Sequence, residues 1–229
     1  MLLAKETMTA NNQEMNFAIR SMNLPDSPSL SSIERDAFPT QRPPTPFKRD
    51  IHNKKARYLV AYKLQNETDD EQTGIANQQE NLGAFRKVLH RISHRSHEDD
   101  DIDPRIIGYI GSFFQLDEAH ITAVGVHSTY RGRGIGELLL IAGIELAQLR
   151  DAREVTLEVR VSNQIAQSLY RKYAFEEKGI RPKYYTDNNE DAMIMTTPNI
   201  QTAEYRDLLL SLITSHSTRH GLSTRDVGN

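Results

Sequence analysis

The segment TYRGRGIG, residues 129–136, constrains the fold more than any other part of this chain. It follows AHITAVGV (119–126), an apolar run that predicts a strand, and it precedes apolar residues that recur at helical spacing. Where a strand leads into a helix through glycines, the first helical N–H groups are exposed. These groups and the positive end of the helix dipole both attract an anion. Arg131 and Arg133 add two cationic donors. The segment therefore predicts a phosphate-binding turn in an α/β fold.

Two common nucleotide-binding motifs do not match this segment. A P-loop needs Gly-Lys followed by Ser or Thr, and the chain contains no such triplet. A dinucleotide-binding turn needs G-x-G-x-x-G, but Glu137 occupies the place of the third glycine. On the glycines alone, a surface turn with solubilising arginines is an equal alternative to an anion site.

The composition narrows the class of protein. The 229 residues contain no cysteine, which excludes disulfides, thiolate metal sites and a cysteine nucleophile and suits a reducing compartment. The net charge of -3 gives no general basic field, so neither direct nucleic-acid binding nor attraction to an anionic membrane is expected. No apolar run approaches the roughly 18 residues that a membrane span requires. These features predict a soluble cytoplasmic protein.

The chain divides into three parts by composition. Residues 1–14 predict a flexible leader, residues 15–200 predict one α/β domain, and residues 201–229 predict a C-terminal helix with a polar tail. Within the domain, the polar segment 65–104 predicts a mobile insertion that contains a short basic helix. The predicted order is β-α-irregular-β-β-β-α-β-α-β-β, with a mixed sheet and with the insertion between the second and third strands.

The individual elements follow from hydrophobic periodicity and turn signals. Helices are predicted over 27–38, after the glycine motif and over 162–175, the last with Ser162 or Asn163 as N-cap. The proline-rich segment 38–47 is expected to be irregular, and PKYYTDNNED (182–191) is expected to be a loop. The predicted strands are 15–20, 56–64, 105–115, 119–126, 154–161, 176–181 and 192–196.

The strand 154–161 carries a candidate catalytic carboxylate. Val155, Leu157 and Val159 alternate with polar residues, so Glu158 should project toward the more open face of the sheet. By position alone, an ordinary solvent-facing residue paired with Arg160 explains Glu158 at least as well as a catalytic base does.

Several of these segments resemble one known family. Arg131-x-x-Gly134-x-Gly136 after a strand resembles the acetyl-CoA-binding core of the GNAT (Gcn5-related) N-acetyltransferases. LEVRVSNQIAQSLYRKYAFEE, followed by YY and EDAMIM, resembles the RimI branch, the bacterial ribosomal-protein alanine N-acetyltransferases, which acetylate protein N-termini. The resemblance is strong over 105–196, weaker over 15–64 and absent elsewhere. It implies a three-layer α/β/α acyltransferase fold and a chain that uses acetyl-CoA as co-substrate without a metal.

The resemblance assigns cofactor contacts by position. Backbone groups of the strand before the motif would bind the acetyl-pantetheine arm, the glycine turn would hold the pyrophosphate, and Asn163 would contact the cofactor from the next helix. The residues concerned are Val124, Gly125, Val126, Arg131, Gly132, Arg133, Gly134, Ile135, Gly136 and Asn163.

The resemblance also assigns the chemistry. Glu158 matches the general base and Tyr170 the general acid that protonates departing coenzyme A. An α-amino group has a pKa of roughly 7.7–8.0, so at neutral pH it must lose one loosely held proton. A carboxylate with a pKa near 4.3 is a weak base, so Glu158 is expected to accept this proton through a water molecule. The alternative for Tyr170 is core packing at the edge of an apolar stripe. Without cysteine, direct attack in a ternary complex is favoured over a thioester on the enzyme.

The acceptor groove is assigned in the same way, to Tyr184 and Tyr185 together with Phe38 and Pro39. The resemblance implies a protein N-terminus as acceptor, from a ribosomal protein with N-terminal alanine. Two other functions stay open. One is acetylation of lysine side chains or a small amine, and the other is a non-catalytic acetyl-CoA-binding module.

Histidines and one alanine complete the sequence predictions. His90, His94 and His97 could form a weak metal site, although solvated histidines in a mobile insertion are favoured. His120 and His127 are interpreted as structural. The family has glycine where this chain has Ala174, and a left-handed residue there would cost alanine roughly 1 kcal/mol.

Overall fold

The computed structural model describes residues 15–40, 43–64 and 101–228. The predicted leader and most of the predicted insertion lie outside these residues, as do the insertion's basic helix and its three histidines. The end of the insertion is described, and there the Asp103 N–H donates to the Ser29 Oγ at 2.9 Å. None of the described helices is long and apolar enough to cross a membrane.

Seven strands form a single mixed sheet in the order β1-β2-β3-β4-β5-β7-β6. Neighbouring strands pair antiparallel except β4 and β5, which are parallel and are joined through a helix. The strands are β1 Phe17–Ser21, β2 Ala56–Lys63, β3 Ile106–Gln115, β4 Glu118–Val126, β5 Glu154–Arg160, β6 Glu176–Tyr185 and β7 Glu190–Thr196.

Five α-helices complete the described fold, together with short 3-10 turns at Leu24–Asp26 and Ser128–Tyr130. The predicted helix after the glycine motif is α3, and the predicted C-terminal helix is α5. The helices are α1 Ser27–Ala37, α2 Phe47–Asp50, α3 Ile135–Leu149, α4 Gln164–Lys172 and α5 Ala203–His220.

The helices cover both faces of the sheet, which confirms the predicted α/β/α layers. Helix α3 packs in one apolar cluster with residues of α4 and α5, because its apolar side chains are buried along almost its whole length. Helices α1 and α2 pack in a second cluster, in which Leu30, Ile33 and Phe47 meet Tyr109 of β3. Burial of such side chains stabilises each by about 1.5–3 kcal/mol.

One local prediction is wrong. Residues Tyr184 and Tyr185 belong to β6 rather than to a loop, because Tyr185 pairs with Glu190 and extends the antiparallel pair of β6 and β7 beyond residue 181. The segment 38–47 is irregular as predicted over its described residues up to 46, and α2 begins at Phe47, which is buried against Tyr58 and Tyr109.

The prediction for Ala174 is confirmed. Its φ is 59°, in the left-handed region, and it follows the last turn of α4. The Phe175 N–H donates to the Tyr170 carbonyl at 3.1 Å, which closes the helix end in the manner that normally selects glycine at this place.

Candidate active site

The parallel strands β4 and β5 separate at their carboxyl ends. Their described pairing runs from Glu118 with Glu154 to Ile121 with Leu157 and then stops. The register between β3 and β4 shifts there, because Ser112 pairs with Ile121 whereas Gly111 pairs with Ala123. The bulge bends β4 away from β5. This opening is the candidate active site.

Backbone groups line one side of the opening. Val124, Gly125 and Val126 pair with β3 on their other edge, so the edge that faces β5 is open among the described residues. Gly125 is also required by packing, because a Cβ there would lie 2.8 Å from the Tyr109 ring. On this edge the strand can offer backbone N–H and C=O groups to an extended ligand, although the Val126 carbonyl already accepts from Arg131.

The glycine turn has the geometry of an anion site. Gly132 and Gly134 have φ of 76° and 79°, and Gly134 is the N-cap of α3. A Cβ at Gly132 would have no atom within 4 Å, so the backbone there faces open space. Arg131 donates to the Val126 carbonyl at 3.1 Å, and the Arg133 guanidinium lies 5.1 Å from the Tyr130 ring centroid. The residues present fit a pyrophosphate group.

Glu158 lies on the predicted face of β5, opposite Val155, Leu157 and Val159. Its side chain is only 6% exposed, however, because His120 of β4 and Arg181 of β6 both contact it. The His120 Nε2 is 3.0 Å from Oε2, and the Arg181 guanidinium is 3.2 Å from Oε1. Burial acts to raise the pKa of Glu158, but the hydrogen bond from His120 and the nearby Arg181 outweigh it and lower the pKa. Glu158 is therefore an ionised carboxylate.

Two residues of this cluster were not recognised from the sequence. The sequence predicts a structural role for His120, but its imidazole contacts the candidate base and remains 29% exposed. Arg181 stood in a predicted strand with no role. The alternation of β4 could have placed His120 on a polar face, but only the register of β4 against β5 brings it to Glu158.

Tyr170 lies at the edge of the apolar cluster formed with α3. Its ring is half-buried and lies 5.6 Å from the Phe175 ring. Burial raises the pKa of Tyr170 to about 12, so the hydroxyl is protonated at neutral pH. Among the described residues no hydrogen-bond partner of this hydroxyl is found. Burial raises the pKa of Tyr185, and the nearby Tyr170 and Glu158 raise it further, so these groups lie in one region.

The tyrosine pair stands beside Glu158. The two rings meet edge to face with 5.2 Å between centroids, and Tyr184 is 42% exposed. Burial and the Glu158 charge both raise the pKa of Tyr184. Arg160 stacks on Tyr185 at 3.9 Å and holds it in place.

The Phe38-Pro39 loop reaches the same region. Thr40 follows it directly and donates to the Asp187 Oδ2 at 2.6 Å, in the turn between β6 and β7. Asp187 in turn accepts from Arg160 at 2.9 Å. Phe38 packs partly against the apolar cluster of α1 and α2, and Pro39 is exposed. The two predicted walls of the acceptor groove are thus joined by hydrogen bonds.

Asn163 is the N-cap of α4, which selects it from the two predicted candidates. Its Oδ1 accepts from the Ala166 N–H at 3.1 Å, and its amide nitrogen remains available to donate to a ligand. Its contact with the cofactor stays a prediction. In the part of the chain that the structure describes, no three His, Asp or Glu side chains are grouped as metal ligands.

Comparison with known proteins identifies the family. The model of the Acetyltransferase (GNAT) family matches residues 28–175. A Bacillus subtilis protein, named as a candidate [ribosomal protein bS18]-alanine N-acetyltransferase, is 47% identical over 93 residues, which is 41% of this chain and 62% of that protein. An N-alpha-acetyltransferase of Sulfurisphaera tokodaii is 30% identical over 187 residues, 80% of this chain and 93% of that protein.

The Escherichia coli [ribosomal protein bS18]-alanine N-acetyltransferase is 41% identical over 85 residues, 36% of this chain and 57% of that enzyme. The crystal structure of the ribosomal-protein-S18-alanine N-acetyltransferase from Escherichia coli superposes with a TM-score of 0.56 at 24% identity, covering 80% of this chain and 94% of that chain. The match to the two bS18-alanine relatives spans less than two thirds of their length, and the archaeal match spans nearly all of its relative. The chain belongs to the GNAT acetyltransferase family.

Proposed function

We propose that this protein transfers an acetyl group from acetyl-CoA to the α-amino group of a protein N-terminus. The acceptor is a ribosomal protein with N-terminal alanine, and attack is direct within a ternary complex. The observation that carries the proposal is the Glu158 carboxylate, held between His120 and Arg181 beside Tyr184 at the opening of β4 and β5. The names of the Bacillus subtilis and Escherichia coli relatives support a ribosomal protein with N-terminal alanine, and the name of the Sulfurisphaera tokodaii relative supports transfer to an α-amino group.

Acetyl-CoA supplies an acyl thioester. The glycine turn 131–136 would hold its pyrophosphate, and the open edge of β4 at Val124, Gly125 and Val126 would hold the pantetheine arm by backbone hydrogen bonds. The two positive-φ glycines and the open space at Gly132 support this assignment.

The Glu158–His120 pair removes the acceptor proton. A carboxylate with a lowered pKa is a weak base by itself, so the proton must be received by a better-placed group. The hydrogen bond of His120 Nε2–H to Glu158 leaves the Nδ1 atom as the acceptor, and Glu158 stabilises the imidazolium that results. His120 is the more exposed member, so it is the one that reaches an ammonium group directly or through water.

Tyr170 assists the leaving group. A phenol with a pKa of about 12 is a weaker acid than a thiol near 8.5, so complete proton transfer from Tyr170 to a thiolate would be uphill by about 5 kcal/mol. The hydroxyl can still donate a hydrogen bond to sulfur as charge develops there. We therefore assign Tyr170 the role of a hydrogen-bond donor to the leaving sulfur, with its proton remaining on the phenol oxygen.

The acceptor groove lies between the two hydrogen-bonded walls. Tyr184, Tyr185, Phe38 and Pro39 offer apolar surface and two phenol hydroxyls to a peptide backbone. An α-amino group suits the weak base better than lysine, because deprotonating lysine costs about 3.5 kcal/mol more at neutral pH.

An acetylation assay with peptides tests the proposal. The peptides start with Ala, Ser or Met, and matched peptides have a blocked N-terminus and an internal lysine. We expect label on the free N-termini, with Ala preferred. Label only on the blocked peptides would establish the lysine alternative, and acetyl-CoA binding without label on any peptide would establish the non-catalytic one.

A further inference from the structure

The last two turns of α5 pack on the glycine turn. This helix lies beyond the residues matched by the family model, which end at 175. Its N-terminal half is tied to the core by Tyr205, which donates to the Tyr173 carbonyl at 3.0 Å. Its C-terminal half brings His216, Arg219 and His220 to the start of α3.

His216 makes the central contact. It is 2% exposed, and its Nε2 lies 3.0 Å from the Gly134 carbonyl oxygen, which also accepts from the Leu138 N–H at 2.9 Å. A carbonyl oxygen can only accept, so Nε2 must carry the proton and donate it.

The Gly134 carbonyl controls the orientation of an anion-binding group. It belongs to the same planar peptide as the Ile135 N–H, which points in the opposite direction. Ile135 is the first residue of α3, so its N–H has no partner within the helix and faces the ligand end of the turn. A donor that fixes the carbonyl therefore also fixes this N–H.

Two further contacts hold the helix in this place. The His220 ring lies against Gly134, where a Cβ would come within 2.7 Å of it. Arg219 lies 3.3 Å from both carboxylate oxygens of Glu137, which also accepts from Tyr173 at 2.8 Å and from Lys172. Glu137 thus joins the start of α3 to the ends of α4 and α5.

We propose that His216 is a positioning residue of the acetyl-CoA site, which holds the Ile135 N–H toward the pyrophosphate through the Gly134 carbonyl. The proposal rests on acetyl-CoA being the donor in the proposed function. It makes α5 a part of the cofactor site rather than an appendage.

Binding of CoA to three variants, measured by calorimetry, tests this role. His216→Phe keeps a ring but removes the donor, and His216→Gln restores a donor N–H. Tyr205→Phe is the matched control, because it removes one buried hydrogen bond of the same helix without contact with the turn. We expect His216→Phe to weaken CoA binding about fivefold, and the other two to stay within about twofold of wild type. The KM for acetyl-CoA should rise in His216→Phe with kcat unchanged.

Unchanged CoA affinity in His216→Phe would overturn the proposal, as would an equal loss in Tyr205→Phe. A measurement on the wild-type protein covers the case in which His216→Phe fails to fold. Saturating CoA should slow amide hydrogen exchange over residues 214–220 more than over 203–208, and no slowing at 214–220 would overturn the role. Failure of the proposed function would give a different result: the variants would show the expected CoA affinities, but no N-terminus would be acetylated.

Discussion

Glu158 and His120 face each other across the parallel strands β4 and β5, with 3.0 Å between the Glu158 Oε2 and the His120 Nε2. His120 pairs in register with Thr156, so Glu158 is the next residue along the same face of β5. The contact lies where the two strands begin to separate, so a buried carboxylate and a partly exposed imidazole stand together at the opening.

Removing either member of this pair should impair proton removal. We expect His120→Ala and Glu158→Gln each to lower kcat about 100-fold, because general-base catalysis contributes at least that much, with the affinity for CoA unchanged. If the two residues act as a unit, kcat of the double variant should be about the same as kcat of the more impaired single variant. Steady-state kinetics with a peptide acceptor and calorimetry with CoA give both quantities.

His52→Ala serves as the control, because this histidine is exposed and lies outside the site. A collapse of CoA affinity in Glu158→Gln would show that the ion pair maintains the fold of the opening. Multiplicative losses in the double variant would show that His120 and Glu158 act separately.

The lowered pKa of Glu158 also predicts a pH dependence of stability. Burial opposes the shift, but His120 and Arg181 lower the pKa in the folded state below the unfolded value near 4.3. A depressed carboxyl pKa stabilises the fold above the unfolded pKa, and this contribution is lost as the pH falls through the folded value. The free energy of unfolding of wild type relative to Glu158→Gln should therefore decrease between about pH 5 and pH 3. Urea denaturation at both pH values measures it, and a constant difference contradicts the prediction.

The parts of the site that sequence reasoning found are those whose signals are local. The glycine turn, the N-cap at Asn163 and the left-handed Ala174 each depend on a few consecutive residues, and all three have the expected backbone. The alternation that put Glu158 on the polar face of β5 is local as well.

The parts that it missed depend on pairing between distant segments. His120 reaches Glu158 only through the β4–β5 register, which the crossover of α3 sets. Tyr185 lies in a strand because it pairs with Glu190. The contact of His216 with Gly134 joins residues 82 positions apart, and an amphipathic pattern in α5 does not say which surface it covers.

Ala174 provides a test of backbone strain. Its φ of 59° is costly for a residue with a Cβ, so Ala174→Gly should raise the free energy of unfolding by about 1 kcal/mol. Ala166→Gly, in the first turn of the same helix, should lower it by about the same amount, because glycine is a poor helix former. Urea denaturation measures both, and a loss of stability in Ala174→Gly would contradict the strain argument.

The two left-handed glycines should respond differently to the same substitution. Gly132→Ala meets only backbone strain, because no atom lies within 4 Å of the new Cβ. Gly134→Ala adds a collision with the His220 ring. We expect Gly132→Ala to destabilise the fold by about 1–2 kcal/mol and Gly134→Ala by clearly more. Gly134→Ala with His220→Ala should recover the difference, and no recovery would show that the collision is relieved in another way.

The exposed tyrosine should determine the affinity for the acceptor and not for the cofactor. Tyr184 is exposed and lies beside Glu158, whereas the glycine turn is formed by other elements. Tyr184→Ala should raise the KM for an Ala-starting peptide about tenfold, because it removes aromatic contact area, and should leave the KM for acetyl-CoA unchanged. Tyr184→Phe keeps the ring and separates the role of the hydroxyl. Equal increases in both KM values for Tyr184→Ala would show that the tyrosine supports the whole opening, and the acceptor groove would then have to lie elsewhere.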